Sequence, residues 1–85
     1  MSIRDFNLPE EIYLLCLLHN VGAVNLERSL TSEEIVNWSA MEPEKVRLNV
    51  QKLIEANYLQ KVLPGETERY QVTVNGIRKV LSMYS

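Results

Sequence analysis

The strongest constraint in this sequence is a pair of helix signals set almost back to back. In "LTSEEI" (residues 30–35), Thr31 stands where an N-cap accepts a backbone N–H, and Glu34 three residues later completes a capping box. Leu30 and Ile35 fall at the two positions of a hydrophobic staple. The helix begun there runs to about Ala40 and buries Ile35 and, one turn on, Trp38. Only "MEP" follows before the next helix, which Pro43 opens at a position where a missing N–H costs nothing. Val46, Val50, Leu53 and Ile54 recur at helical spacing and define its inner face. Opposite them lie Glu44, Lys45, Leu48, Gln51, Lys52 and Glu55, with Arg47 and Asn49 on the flanks. Asn57, second only to glycine as a left-handed cap, ends this helix, which spans about 43–57.

The flanking segments complete a small domain. An earlier helix begins at "NLPE" (7–10), with Asn7 as N-cap, Pro9 in the first turn and Glu10 reaching back; it ends near "HNVG" (19–22), where Gly22 takes the left-handed conformation. Its apolar residues Ile12, Tyr13, Leu14, Leu15, Cys16, Leu17, Leu18 and Val21 go all the way round, so it needs more than one neighbour. Beyond the helix pair, "YLQKVL" and "RYQVT" read as the arms of a hairpin, and Leu63-Pro64-Gly65-Glu66 suits a type II turn between them. Tyr70 and Val72 point one way in the second arm, Arg69, Gln71 and Thr73 the other. Thr73 ends that strand and caps a last helix, in which Ile77, Val80, Leu81 and Tyr84 make an inward stripe. Two helices joined by about three residues and followed by a hairpin give a helix-turn-helix plus wing. The expected fold is mainly α with a small β-hairpin: a three-helix core, a wing of two to three strands and a C-terminal helix, in one domain over residues 1–85.

Composition narrows the function classes. At 85 residues the chain has material for one small core and not for a second, ligand-sensing domain. A formal net charge of −2 argues against binding nucleic acid by bulk attraction. The charge is uneven: Lys61, Arg69, Arg78 and Lys79 face only Glu66 and Glu68 from residue 59 onward, so the C-terminal part is the anion-facing side. One cysteine, Cys16, excludes an internal disulfide, and with His19 as the sole histidine there are too few soft ligands for a zinc or copper cluster. The run "IYLLCLL" is far shorter than the roughly 20 residues of a spanning helix. An export signal ending at "VGA" is opposed by Asp5, Glu10 and Glu11, which make the leading segment negative where export needs it positive. A cytoplasmic protein, without membrane contact, is the expectation.

The residues from Leu30 to about Leu81 resemble winged-helix transcriptional regulators of the multiple-antibiotic-resistance and arsenical-resistance regulator kinds. Ile35, Val46 and Leu53 stand at apolar positions that recur in those families; Asn57-Tyr58-Leu59 takes the place of a Gly-Leu pair, and Val72-Thr73-Val74-Asn75-Gly76 that of a Leu-Thr-x-x-Gly. There are two departures. Ser39 stands where an apolar residue is usual, and the wing tip "GETE" is acidic where a DNA-contacting wing carries arginine or lysine. The resemblance implies a small transcriptional regulator whose recognition helix enters the major groove of double-stranded DNA. By that resemblance and the helical geometry, Lys45, Arg47, Leu48, Gln51 and Lys52 make the contacts. Arg47 and Gln51 read base edges, Leu48 meets a thymine methyl and Lys45 and Lys52 hold phosphates, while Lys61 and Arg69 at the base of the wing add flanking phosphate contacts.

A helix apolar on all sides points to a homodimer, with Ile12, Leu14, Leu15 and Leu18 of the first helix and Val80, Leu81 and Tyr84 of the last supplying much of the interface. The alternative is a winged-helix adaptor for protein contacts, because Glu42, Glu44 and Glu55 cancel Lys45, Arg47 and Lys52 and leave the recognition helix neutral around an apolar Leu48. Cys16 reads as inert core rather than a redox sensor, and His19 as a cation near the helix C-terminus. No nucleophile and base at a recognisable spacing, no glycine-rich phosphate loop and no metal cluster points to an enzyme or a bound cofactor.

Overall fold

The computed structural model describes residues 8–84. Its elements are α1 (Glu10–Asn20), α2 (Ser32–Ser39), α3 (Pro43–Glu55), β1 (Leu59–Val62), β2 (Arg69–Val72) and α4 (Val74–Ser82), the order of a winged helix-turn-helix.

Helix α1 sits at the centre and packs against α2, α3, β2 and α4. That position explains its sequence: a helix with neighbours on several sides needs apolar residues on several sides. Leu14, Leu15, Cys16 and Leu18 are all buried in the one chain. The start differs from expectation. Pro9 is the N-cap, its carbonyl accepting from the amides of Ile12 and Tyr13, and Asn7 lies outside the described residues. Among the described residues, the Glu10 carboxylate faces α3, where it meets Asn49 and Lys45. At the other end Gly22 takes φ +86, the left-handed turn that frees the chain to reverse.

The capping box of α2 is complete: Thr31 Oγ1 accepts from the Glu34 amide at 3.2 Å and Glu34 Oε1 accepts from the Thr31 amide at 2.9 Å. Ile35 is fully buried, but Trp38 is 61% exposed rather than packed inside. The helix is only eight residues long, and its buried side is used up by Ile35 with the half-buried Val36 and Ser39. Ala40 closes it in the left-handed region at φ 58, which turns the chain sharply enough for Pro43 to open α3. Helix α3 ends with Asn57 at φ 69, the Asn57 amide bonding to Ile54 O and the Tyr58 amide to Leu53 O, the paired bonds of a Schellman cap.

The wing is an antiparallel pair in the register Leu59↔Val72, Gln60↔Gln71, Lys61↔Tyr70 and Val62↔Arg69. On its other edge β2 is bridged by Leu30, through Leu30 N to Tyr70 O and Tyr70 N to Leu30 O, which pins the wing to the start of α2. The type II turn expected at Gly65 is not formed, because Gly65 has no positive φ. The loop from 63 to 68 is long enough to reverse the chain without a left-handed residue.

The junction into α4 is tight. Thr73 Oγ1 accepts from the Gly76 amide at 3.0 Å and donates to Asn57 O at 2.7 Å, tying the end of β2 to the end of α3. A Cβ on Gly76 would run into the Tyr58 carbonyl oxygen and stand 2.7 Å from Val72 Cγ1, so this helix start admits only glycine. Ile77 and Val80 turn inward, whereas Leu81 and Tyr84 are 55% and 53% exposed and are not part of an inward stripe. The buried residues of α1, α2, α3, both strands and α4 form one cluster. No helix among the described residues is long and apolar enough to cross a membrane.

Candidate nucleic-acid interface

Helix α3 has two faces of opposite character. Val46, Asn49, Val50 and Leu53 are buried, which leaves Glu44, Arg47, Leu48, Gln51 and Glu55 together on the outside, with Lys45 and Lys52 on the flank toward α1. Glu44, Arg47, Gln51, Lys61 and Glu33 rim a groove of about 590 Å³ between α2, α3 and the wing, whose floor is formed by Val36, Val46, Val50, Ile54 and Tyr70. Arg47, Gln51 and Lys61 thus share one concave surface, while Leu48 stands clear of it at 56% exposure.

Three cations of this surface, Arg47, Lys45 and Lys61, lie beside carboxylates of the same chain. Arg47 Nη2 lies 3.2 Å from both oxygens of Glu44, Lys45 Nζ 3.7 Å from Glu10 and Lys61 Nζ 3.7 Å from Glu68; Gln51 Nε2 donates to Glu55 Oε2 at 3.3 Å. All of these side chains are about half exposed or more, so each pair is worth little in stability and opens readily.

Arg69 has a different place from the one expected. Its guanidinium donates to Ser29 Oγ at 3.1 Å and to the Ser29 carbonyl, and lies 3.4 Å from Glu34. Ser29 is fully buried and Arg69 largely covered, so this arginine braces the wing against the entry to α2 and is not displayed to a phosphate. Glu34 completes the brace. The Thr31 backbone N–H, chiefly, and Arg69 hold its carboxyl below the ordinary range.

Asn49 was expected on a flank and is 1% exposed. Its Nδ2 donates to Glu10 Oε1 at 2.8 Å and faces Met41 Sδ at 4.0 Å, so a buried amide on α3 is satisfied by the first turn of α1. That hydrogen bond, ahead of the nearby Lys45, lowers the Glu10 pKa. Nothing in the local sequence marks this contact, since its partners are 39 residues apart.

The residues assigned to a dimer interface divide. Leu14, Leu15, Leu18 and Val80 are at most 2% exposed in the single chain; they are core, and an interface has no access to them. Ile12 is half-buried, and Leu81 and Tyr84 are exposed, joined at the surface by Tyr13 on α1 and Val74 on α4. Cys16 is buried and its thiol pKa is raised by that burial, which disfavours the reactive thiolate. His19 lies in the last turn of α1 with Nδ1 buried and without a hydrogen-bond partner among the described residues. No group of three or more histidine, cysteine or acidic side chains that could hold a metal occurs among the described residues.

No protein-family model matches the chain, and no curated protein matches it. Solved structures match it in fold. The DNA-binding TubR fragment from Clostridium botulinum superposes with a TM-score of 0.77 at 23% identity, over 98% of this chain and 99% of that one. TubR from Bacillus megaterium pBM400 gives 0.77 at 18% identity, over 92% and 88% of the two chains. A MarR family protein from Bacillus stearothermophilus gives 0.74 at 14% identity, over 96% of this chain but 55% of that one. What is shared at these identities is the winged helix-turn-helix fold. The MarR likeness matches the resemblance read from the sequence; the likeness to TubR, whose chains are of similar extent, was not foreseen.

Proposed function

We propose that this chain is a small DNA-binding transcriptional regulator that acts as a homodimer in the cytoplasm, with residues 1–85 as one winged-helix domain and with neither a cofactor nor an enzymatic activity. The observation that carries the reading is the outer face of α3, where Arg47, Leu48 and Gln51 are exposed together beside a groove also rimmed by Lys61. An α-helix fits the major groove, where each base pair displays its own pattern of donors and acceptors. Arg47 is suited to guanine, Gln51 to adenine and Leu48 to a thymine methyl, with Lys45, Lys52 and Lys61 on phosphates. Arg69 is left out of this set because it braces the wing.

The dimer reading is supported by the surface that remains after the core is filled. Val74 and Leu81 lie two turns apart on the outer side of α4, Tyr84 follows three residues beyond Leu81 just past the helix end, and all three are more than half exposed, as a helix–helix seam requires. A two-fold pairing of that kind presents two α3 helices to successive major grooves about 34 Å apart. Regulation then follows from occupancy: the bound dimer covers a promoter site.

The test is fluorescence anisotropy of the protein on labelled duplex from upstream of its own coding sequence, beside a scrambled duplex, over a series of salt concentrations. Preferential, salt-sensitive binding that Arg47→Ala weakens is the expected result. Binding no better than to scrambled DNA at low salt overturns the proposal in favour of an adaptor that docks proteins through the neutral α3 face and Leu48.

A further inference from the structure

The outer face of α3 carries a feature that base reading alone does not need. Both side chains able to read a base edge through two hydrogen bonds are already engaged, each by a carboxylate on the same face. Arg47 Nη2 is 3.2 Å from both oxygens of Glu44, and Gln51 Nε2 is 3.3 Å from Glu55. Glu44 has no role in the core, since its side chain is 81% exposed.

Moving Arg47 onto a guanine therefore has a consequence for Glu44. Its two oxygens lose their donor while they are carried toward a surface dense in phosphate charge and lined with acceptors. The major groove offers a carboxylate two kinds of amino donor, cytosine N4 and adenine N6. On adenine the amino group lies next to the N7 acceptor, which repels a carboxylate; on cytosine it has no such neighbour. A G·C pair, or two adjacent ones, supplies both the acceptors that Arg47 needs and the donor that Glu44 needs.

We propose that Glu44 is a specificity-determining residue of this surface. It holds Arg47 back from DNA lacking a cytosine amino group at the matching position, and accepts a hydrogen bond from that group where it is present. The inference rests on the DNA-reading proposal above and goes beyond it by giving the acid–base pair, rather than the cations, the discriminating role. It also accounts for a reading helix whose cations Lys45, Arg47 and Lys52 are nearly balanced by Glu44 and Glu55: the paired carboxylate lowers affinity for every sequence and is compensated only at the right one.

The experiment uses the full chain, its upstream duplex with each base pair replaced in turn, and a scrambled duplex. The variants are Glu44→Ala and Glu42→Ala; Glu42 carries the same charge two residues earlier and makes no side-chain cap bond. For the wild-type protein, replacing one particular C·G pair weakens binding about ten-fold, the usual worth of a good base contact. Glu44→Ala binds scrambled DNA several-fold more tightly and loses most of the discrimination at that pair, while Glu42→Ala tightens all duplexes alike and keeps it. The inference is overturned if Glu44→Ala retains the full base preference at every position, or if the two variants behave identically, while the wild-type protein still prefers its own duplex. A wild-type protein with no such preference overturns the DNA-reading proposal itself, and this inference with it.

Discussion

The two faces of α3 are made from the same thirteen residues and do opposite things. Toward the core, Val46, Asn49 and Leu53 are within 1% of complete burial, and each meets something specific: apolar side chains, or the Glu10 carboxylate for Asn49. Toward solvent, Glu44, Arg47, Gln51 and Glu55 meet mainly one another, through contacts of 3.2 to 3.3 Å that solvent weakens. Position on the inner face is enforced by packing, which is dense and hard to rearrange. Position on the outer face is enforced by almost nothing. Such a division lets a helix be placed rigidly while the groups it displays stay free to change partners, as the proposed DNA-reading surface would require.

The comparison breaks first at Leu53, which is completely buried. Leu53→Ala should cost about 2–5 kcal/mol in folding, measured by urea denaturation. A loss well below that range would mean that the inner face is not the centre of the core. Asn49→Ala comes next, at about 1–3 kcal/mol, because it removes a buried amide together with its hydrogen bond to Glu10 on α1. The outer face should respond in the reverse sense. Arg47→Ala should leave folding within about 0.5 kcal/mol of the parent and appear only as weaker binding to the upstream duplex. If Arg47→Ala unfolded the protein, the separation of the two faces would be wrong.

The sequence disclosed the parts of this arrangement that are settled within a turn or two of chain. The Thr31–Glu34 box, Pro43 at the start of α3, Asn57 at its end and the Thr73 cap on Gly76 are satisfied by residues three or four places apart, so residue type and spacing suffice to find them. The same periodicity placed Leu48 and Gln51 on one exposed face, but it put Arg47 on a flank, and the structure exposes Arg47 beside them. What remained hidden depends on residues brought together from afar. Asn49 finds Glu10 across 39 residues, and Arg69 finds Ser29 across 40, so neither the burial of the first nor the bracing role of the second has a local signal. The error over Leu14, Leu15 and Leu18 has the same origin: an all-round apolar helix fits a dimer interface or the centre of its own domain equally well until its neighbours are known. Trp38 shows the converse, since helical spacing from Ile35 made it look internal while a short α2 leaves no wall to cover it.

The contact where the two faces meet offers the finest test. Glu10 belongs to α1, yet it accepts from the buried Asn49 at 2.8 Å and lies 3.7 Å from Lys45 on the outer flank. The Asn49 hydrogen bond first, and Lys45 with it, hold its carboxyl below the ordinary value of 4.5. The sign follows: a carboxyl whose pKa is lower folded than unfolded contributes stability that is fully present above pH 4.5 and is lost as pH falls through the lower folded value. Glu10→Gln keeps an oxygen for Asn49 and removes only the charge. The stability of the wild-type protein minus that of Glu10→Gln, measured by urea denaturation across this range, should therefore be positive at neutral pH and shrink as the solution is acidified below 4.5. In an Asn49→Ala background the same difference should be smaller and less dependent on pH, because the main cause of the shift is gone. A difference that stayed level from neutral pH down through this range would mean that the charge of Glu10 does not hold α1 to α3, leaving packing alone to set the angle of α3.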